Sequence, residues 1–184
     1  MYNKIIGETP MRRTVFVAAA LVLLAGPALA QSAGEKSGVN SALGVTPKTA
    51  DFVTEVAQSD MFEIQSSELA ATKTKGDVQA FAKQMVTDHT KTTTELEGLA
   101  PAANASLPTA MDKSQQGMLD KLKGLNGDDF RKQYVNDQVS AHKTAVALFE
   151  RYSKGGDNEK LKAWAFQTLP VLQHHLDMAN GLNK

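Results

Sequence analysis

The stretch DDFRKQYVNDQVSAHKTAVALFERYS, residues 128–153, is the most informative about the fold class. Its apolar residues recur at steps of three and four, which is the spacing of one face of an α-helix. They are Phe130, Tyr134, Val135, Val139, Val146, Phe149 and Tyr152. His142 lies on the same face, three residues after Val139 and four before Val146. The stretch therefore predicts an amphipathic helix that turns a histidine toward the protein interior.

Three further long segments show the same spacing, at about residues 47–74, 77–100 and 157–182, and a shorter one lies at about 112–125. Polar residues before the long segments are predicted to cap the helices, namely Thr46, Asp77, Asp128 and Asp157. Pro170 lies inside the last segment and predicts a kink near Phe166. No segment alternates with period two, so no strand is predicted. We predict an all-α fold, an antiparallel four-helix bundle with a short extra helix before the third long one.

Residues 1–30 have the features of a secretory signal peptide. Arg12 and Arg13 precede an apolar run at residues 15–25, and small residues lead to a predicted cleavage site after Ala30. The run is shorter than the roughly 20 residues that a membrane span needs. We therefore expect export to the periplasm or cell envelope and no transmembrane span in the mature chain. An uncleaved membrane anchor and twin-arginine export are the alternatives.

The rest of the chain is predicted to contain a flexible leader at residues 31–45 and one folded domain at residues 46–184. Met11 directly precedes the two arginines, so either Met1 or Met11 could be the start. The chain has no cysteine, which excludes disulfides and thiolate metal ligands. Removing residues 1–30 leaves 17 of 20 basic and 19 of 20 acidic residues, a net charge of −2. Nucleic acid is therefore not predicted as a partner, and protein partners stay unknown.

Each predicted long helix carries one polar residue on its apolar face: Glu63, His89, His142 and His175. Imidazole and carboxylate ligands suit zinc, copper or iron, and also nickel, so one transition metal ion is a candidate cofactor. Counted from the predicted turns, the first three lie at similar depth, whereas His175 is off level by roughly 8 Å. We expect Glu63, His89 and His142 to group better than all four. Four nearby residues are expected to be solvated or to support the ligands from behind: Asp88, Asp137, His174 and Asp177.

Known catalytic patterns are missing from the sequence. A carboxylate-bridged di-iron bundle needs Glu three residues before His on two helices, but those positions hold Val86, Val139 and Leu172. There is also no glycine-rich phosphate loop, no nucleophile elbow and no His-Glu-x-x-His motif. These absences argue against di-iron ferroxidase chemistry of the usual kind and favour a function without catalysis, while the question of an enzyme stays open.

Five stretches together resemble a known family: DFVTEVAQSDMFEIQSSELA, VQAFAKQMVTDHTKTTTEL, SLPTAMDKSQQGMLDKL, YVNDQVSAHKTAVALFE and LKAWAFQTLPVLQHHLDMA. The family is domain of unknown function 4142, exported bacterial proteins that are often labelled outer membrane proteins. The resemblance covers about residues 49–180 and matches the family pattern at Glu63, Asp88, His89, His142, Pro170 and His175. It implies a ferritin-like helical bundle outside the cytoplasm and no established enzymatic activity.

Three functions are compatible with these observations. The one we favour from sequence is a structural, interaction or stress-related protein of the cell envelope, whose histidines form a hydrogen-bonded network with Glu63. The alternative is a periplasmic metal-binding protein with Glu63, His89, His142 and His175 as ligands. A third is an enzyme that uses the same site, which would need an open coordination position on the metal.

Overall fold

The computed structural model describes residue 34 and residues 38–183. Within these residues there are six α-helices, one 3-10 helix and no strand, so the all-helical prediction is confirmed. The helices are α1 (Val39–Ala42), α2 (Thr49–Lys73), α3 (Gly76–Leu99), the 3-10 helix Pro101–Ala103, α4 (Lys113–Gly124), α5 (Gly127–Gly155) and α6 (Glu159–Leu182). Helices α2 to α6 begin and end within two residues of the predicted boundaries.

The N-terminal predictions fall largely outside the described residues. This applies to the signal peptide at residues 1–30 and to residues 31–33 and 35–37 of the leader. The described part of the leader includes α1, a helix of four residues that the composition did not predict. In the part of the chain that the structure describes, no helix combines the length and apolar character needed to cross a membrane.

The predicted capping residues were wrong. The four long helices have Lys48, Lys75, Asn126 and Asn158 at their N-cap positions, and of these only the Asn158 side chain accepts a hydrogen bond from its helix. Two of the long helices, α3 and α5, begin one residue earlier than predicted, at a glycine with a positive φ angle. Gly76 has φ 61° and Gly127 has φ 56°, a left-handed conformation that glycine adopts readily. Pro170 lies inside α6 as predicted.

The four long helices pack mainly against each other. Helix α2 contacts α3 and α5, and α6 contacts α5 and α3, so each long helix has two long neighbours. The short helix α4 packs against α2 and α5. Because each long helix presents one wide apolar face, this arrangement buries all four faces in a common interior.

The interior contains two apolar clusters at opposite ends of the helices. One is formed by the start of α2, the end of α3, the end of α5 and the start of α6, with Phe52, Leu96, Tyr152 and Leu161 among its members. The other is formed by the opposite ends of these helices together with α4. Phe52 and Tyr152 stack with ring centroids 3.9 Å apart, which adds to the packing of the first cluster.

A buried polar layer separates the two apolar clusters. On α3, His89 lies between Met85 of one cluster and Leu96 of the other. His142 and His175 occupy the same kind of position on α5 and α6. Asp60 and Glu63 supply the part of the layer that belongs to α2, and all five side chains are less than 5% exposed. The fold therefore places these five polar side chains near the middle of the core, between the two apolar clusters.

Candidate metal centre

Three helices bring one histidine each to a common point. One ring nitrogen from each of His89, His142 and His175 lies within 4.8 Å of the other two, and no Glu63 oxygen belongs to this group. The ring centroids are 5.4 to 5.6 Å apart. All three side chains are buried, with exposed fractions of 3% or less. The structure therefore forms a group of three histidines from α3, α5 and α6.

The expected depth of His175 needs correction. The estimate of roughly 8 Å placed the turn at residues 155–156. In the structure α5 ends at Gly155, 13 residues after His142, and α6 begins at Glu159, 16 residues before His175. The difference of three residues is about 4.5 Å along the helix axes, which side chains can span. His175 therefore joins the group, and Glu63 lies beside it.

Each histidine uses one ring nitrogen to donate a hydrogen bond to an oxygen. His89 Nδ1 donates to Asp60 Oδ1 at 2.8 Å, and His175 Nε2 donates to Asp88 Oδ2 at 2.8 Å. His142 Nδ1 donates to the Gln138 carbonyl oxygen at 2.9 Å. Since carboxylate and carbonyl oxygens only accept, these nitrogens carry the ring hydrogens. In a neutral ring the other nitrogen is then unprotonated and carries a free lone pair.

The opposite nitrogens have no hydrogen-bond partner in the protein. They are His89 Nε2, His142 Nε2 and His175 Nδ1, and all three are buried from solvent. A buried acceptor without a donor destabilises the folded state by roughly 1–3 kcal/mol, so three of them in one core are substantially destabilising. A metal ion would satisfy the three lone pairs together, and the oxygens on the far side would orient the rings, as is usual around bound metals.

The charges of the histidines differ. Burial lowers the pKa of His142 to about 3 and that of His175 to about 4, so both rings are neutral near pH 7. Burial acts in the same direction on His89, but its hydrogen bond to Asp60 and the charges of Asp60, Glu63 and Asp88 outweigh it and raise the pKa of His89. His142 and His175 are therefore ready to bind a metal, whereas His89 holds its second ring proton to a higher pH than an ordinary histidine, which makes metal binding at His89 more dependent on pH.

Glu63 lies next to the histidines rather than among them. Its Oε1 is 3.9 Å from His142 Nδ1, which is the nitrogen that already donates to Gln138. Both carboxyl oxygens are buried and neither has a hydrogen-bond partner in the protein. Burial raises the pKa of Glu63 to about 7, although the charge of His89 acts against this shift. A cation beside it would favour the ionised form of Glu63.

The polar layer carries more negative than positive groups. Asp60 and Asp88 accept hydrogen bonds from the histidines, and Asp60 Oδ2 accepts from the hydroxyls of Thr92 and Thr93 at 2.8 and 3.2 Å. Among the described residues, no lysine or arginine forms an ion pair with Asp60, Asp88 or Glu63. Carboxylates in a dry interior need a nearby positive charge, so the layer suits a cation.

Asp60 was not among the residues that the sequence predicted at the site. The signal was present, because Asp60 lies four residues after Val56 and three before Glu63, on the buried face of α2. Of the residues expected near the site, Asp88 bonds His175, whereas His174 and Asp177 are exposed on α6. Asp137 is buried, forms no hydrogen bond with the histidines and accepts one from Gln133 at 2.8 Å.

A family profile described as "Domain of unknown function (DUF4142)" matches residues 34–182. The chain belongs to this family. The match includes every residue of the three-histidine group and its hydrogen-bond partners, so the whole site lies inside the DUF4142 domain. Searches of curated proteins and of solved structures return no match.

Proposed function

We propose that this DUF4142 protein binds one transition metal ion through His89, His142 and His175. The observation that carries the proposal is the meeting of three buried imidazoles, each of which brings one ring nitrogen within 4.8 Å of the other two and each of which has one ring nitrogen without a hydrogen-bond partner. Asp60, Asp88 and the Gln138 carbonyl hold the rings by their other nitrogens. This reverses the preference drawn from sequence, because sequence showed histidines on the buried faces but not their unsatisfied atoms.

The donor set narrows the choice of metal. Three imidazoles without a thiolate suit Zn²⁺, Cu²⁺ and Fe²⁺, whereas Mg²⁺ and Ca²⁺ prefer oxygen ligands. We propose zinc or copper as the resident ion, because three neutral nitrogen ligands are sufficient for either. Glu63 would balance the charge of the ion from its place beside His142. Ionisation of Glu63 and loss of the His89 proton would accompany binding.

The second candidate is the structural or interaction protein that the sequence favoured. One observation supports it: the pKa of His89 is raised beside Asp60, so a protonated His89 could supply the positive charge of the layer. In that case the layer would be a hydrogen-bonded network that binds no metal. The two candidates differ in metal content, which can be measured directly.

Elemental analysis of untagged protein tests the proposal. After incubation with Zn²⁺ or Cu²⁺ and removal of excess metal, the protein should retain about one ion per chain, and His89→Ala should retain much less than one. His174→Ala is the matched control, because His174 is exposed and adjacent to His175, and it should retain metal like the unaltered protein. Equal metal in both variants, or no metal in the unaltered protein, would reject the proposal.

We also propose that the protein is exported and that its long helices form a ferritin-like, antiparallel four-helix bundle. The arginines and apolar run before residue 31 support export, and the absence of cysteine is compatible with it. The contacts that give each long helix two long neighbours support the bundle. An N-terminal sequence that begins at Gln31 in protein taken from the cell envelope would support export, whereas an intact Met1 or Met11 would count against cleavage.

A further inference from the structure

We propose that the metal keeps one coordination position open toward a side groove, and that a small neutral molecule with a nitrogen donor and an apolar part binds there. This inference rests on the proposed function, because it requires the ion at the three histidines. It goes beyond that function, because the metal would bind an external molecule in addition to the three histidines.

The protein supplies three donors, one fewer than a tetrahedral ion needs. Among the described residues, no fourth donor atom belongs to the group formed by His89, His142 and His175. Glu63 Oε1 lies 3.9 Å from His142 Nδ1, and Glu63 does not belong to the group. Three protein ligands and one exchangeable position are the usual arrangement of metal sites that act on other molecules.

A groove of about 820 Å³ reaches the site between α2 and α5, with the start of α4 at its edge. His89 and its partner Asp60 form part of its wall. His142 and His175 do not line the groove themselves, and their rings lie behind His89, with ring centroids 5.5 and 5.6 Å from that of His89. At its outer edge the groove is lined by exposed residues, including Ser140 and Thr144. A ligand could therefore approach the site from solvent along the side of His89.

The walls indicate the chemistry of the ligand. Val56, Phe62, Leu148 and Phe149 provide apolar surface, and the volume is in the range typical of small-molecule sites, roughly 300–1,000 Å³. Acidic residues in the wall outnumber the single lysine, Lys113, which disfavours anions. A neutral molecule that coordinates through a nitrogen and lays an apolar group against these walls fits best.

Cobalt-loaded protein tests the inference, because the visible absorption of Co²⁺ changes when a ligand joins its coordination shell. The probes are imidazole and 4-phenylimidazole, which share the donor and differ by one phenyl ring. Both should change the spectrum, and the dissociation constant of 4-phenylimidazole should be lower by about tenfold or more, because the groove buries the ring. Thr144→Trp should remove most of this advantage by filling the groove. Lys143→Trp, on the exposed neighbouring position outside the groove, should keep it.

The outcomes separate this inference from the proposed function. Failure to bind Co²⁺ or Zn²⁺ would reject the metal site itself. Stable cobalt binding with a spectrum that neither probe changes would leave the metal site standing and reject the open position. Equal affinity for the two probes in the unaltered protein would reject the groove as the place where the ligand binds, and this comparison needs no variant to fold.

Discussion

Asp60 controls the orientation of His89 through a single hydrogen bond. Its Oδ1 accepts from His89 Nδ1, while Thr92 and Thr93 hold its other oxygen. This arrangement fixes the ring and leaves Nε2 without a hydrogen-bond partner in the protein. A carboxylate in this position also increases the basicity of the imidazole, which strengthens its bond to a metal. Asp60 should therefore affect how tightly the metal binds without touching it.

The substitution Asp60→Asn tests this role. It keeps an oxygen acceptor but removes the negative charge, so the affinity for Zn²⁺ should fall by about 10- to 100-fold while the stoichiometry stays at about one. Competition with a zinc chelator of known affinity measures the change. Asp177→Asn is the control, since Asp177 is exposed on α6, and its affinity should match the unaltered protein. An Asp60→Asn protein with normal affinity would show that the hydrogen bond is only structural.

At the residue scale, the sequence predicted which helix face each polar residue occupies better than it predicted which atoms that residue contacts. The spacing correctly placed Glu63, His89, His142 and His175 on buried faces. Which polar atoms meet was not predictable, because that depends on how each helix rotates about its axis and where its turns end. The shift of the α5–α6 turn brought His175 into the group, and the rotation of α2 placed Asp60 against His89.

At the scale of elements, periodicity predicted the long helices because each has one continuous apolar face. Their starts were harder to predict. Aspartates one or two residues into a helix favour it through the helix dipole without capping it, and Asp77 and Asp128 lie in the first turns of α3 and α5. Among the helices that the structure describes, only α4 has a complete capping box, in which Asp112 and Gln115 exchange hydrogen bonds.

The capping box of α4 makes a prediction at this scale. Asp112→Ala should reduce the free energy of unfolding by about 0.5–2 kcal/mol, because the backbone NH of Gln115 loses its acceptor. Denaturant unfolding measures it. Asp120→Ala is the control on the same helix, since Asp120 is exposed and its ion pair with Lys123 should contribute little. Equal losses in the two variants would show that the cap does not stabilise α4.

At the scale of the whole molecule, a polar layer divides one core into two apolar clusters. Without metal, this layer makes stability depend on pH. The unfolded chain protonates His142 and His175 near pH 6.5, whereas their folded pKa values are about 4 or lower. Below pH 6.5 the unfolded state therefore binds two protons more at these sites, and stability falls as pH falls. His89 has a raised pKa, so it is protonated in both states there.

Glu63 acts in the opposite direction. Its pKa is about 7 in the folded protein and 4.5 in the unfolded chain, so between these values the folded state holds one proton more. The unfolded state of the metal-free protein should therefore bind about one proton more than the folded state between about pH 6 and 5. The free energy of unfolding should fall by about 1.4 kcal/mol as the pH falls by one unit in this range. In Glu63→Gln the difference should approach two protons, so the free energy of unfolding should fall more steeply as the pH falls. Urea unfolding with a chelator at both pH values measures the slopes, and a flat slope in the unaltered protein would contradict the assigned protonation states.

X-ray absorption spectroscopy of the zinc-loaded protein tests the three-histidine site most directly. We predict about one zinc per chain, with three imidazole nitrogens at about 2.0–2.1 Å and one further light atom completing a four-coordinate shell. The imidazole signal should fall to two rings in His175→Ala if that variant still holds zinc. A shell of oxygens without imidazole, or no bound zinc under saturating conditions, would contradict the three-histidine site. The polar layer would then be a hydrogen-bonded network that binds no metal through its histidines.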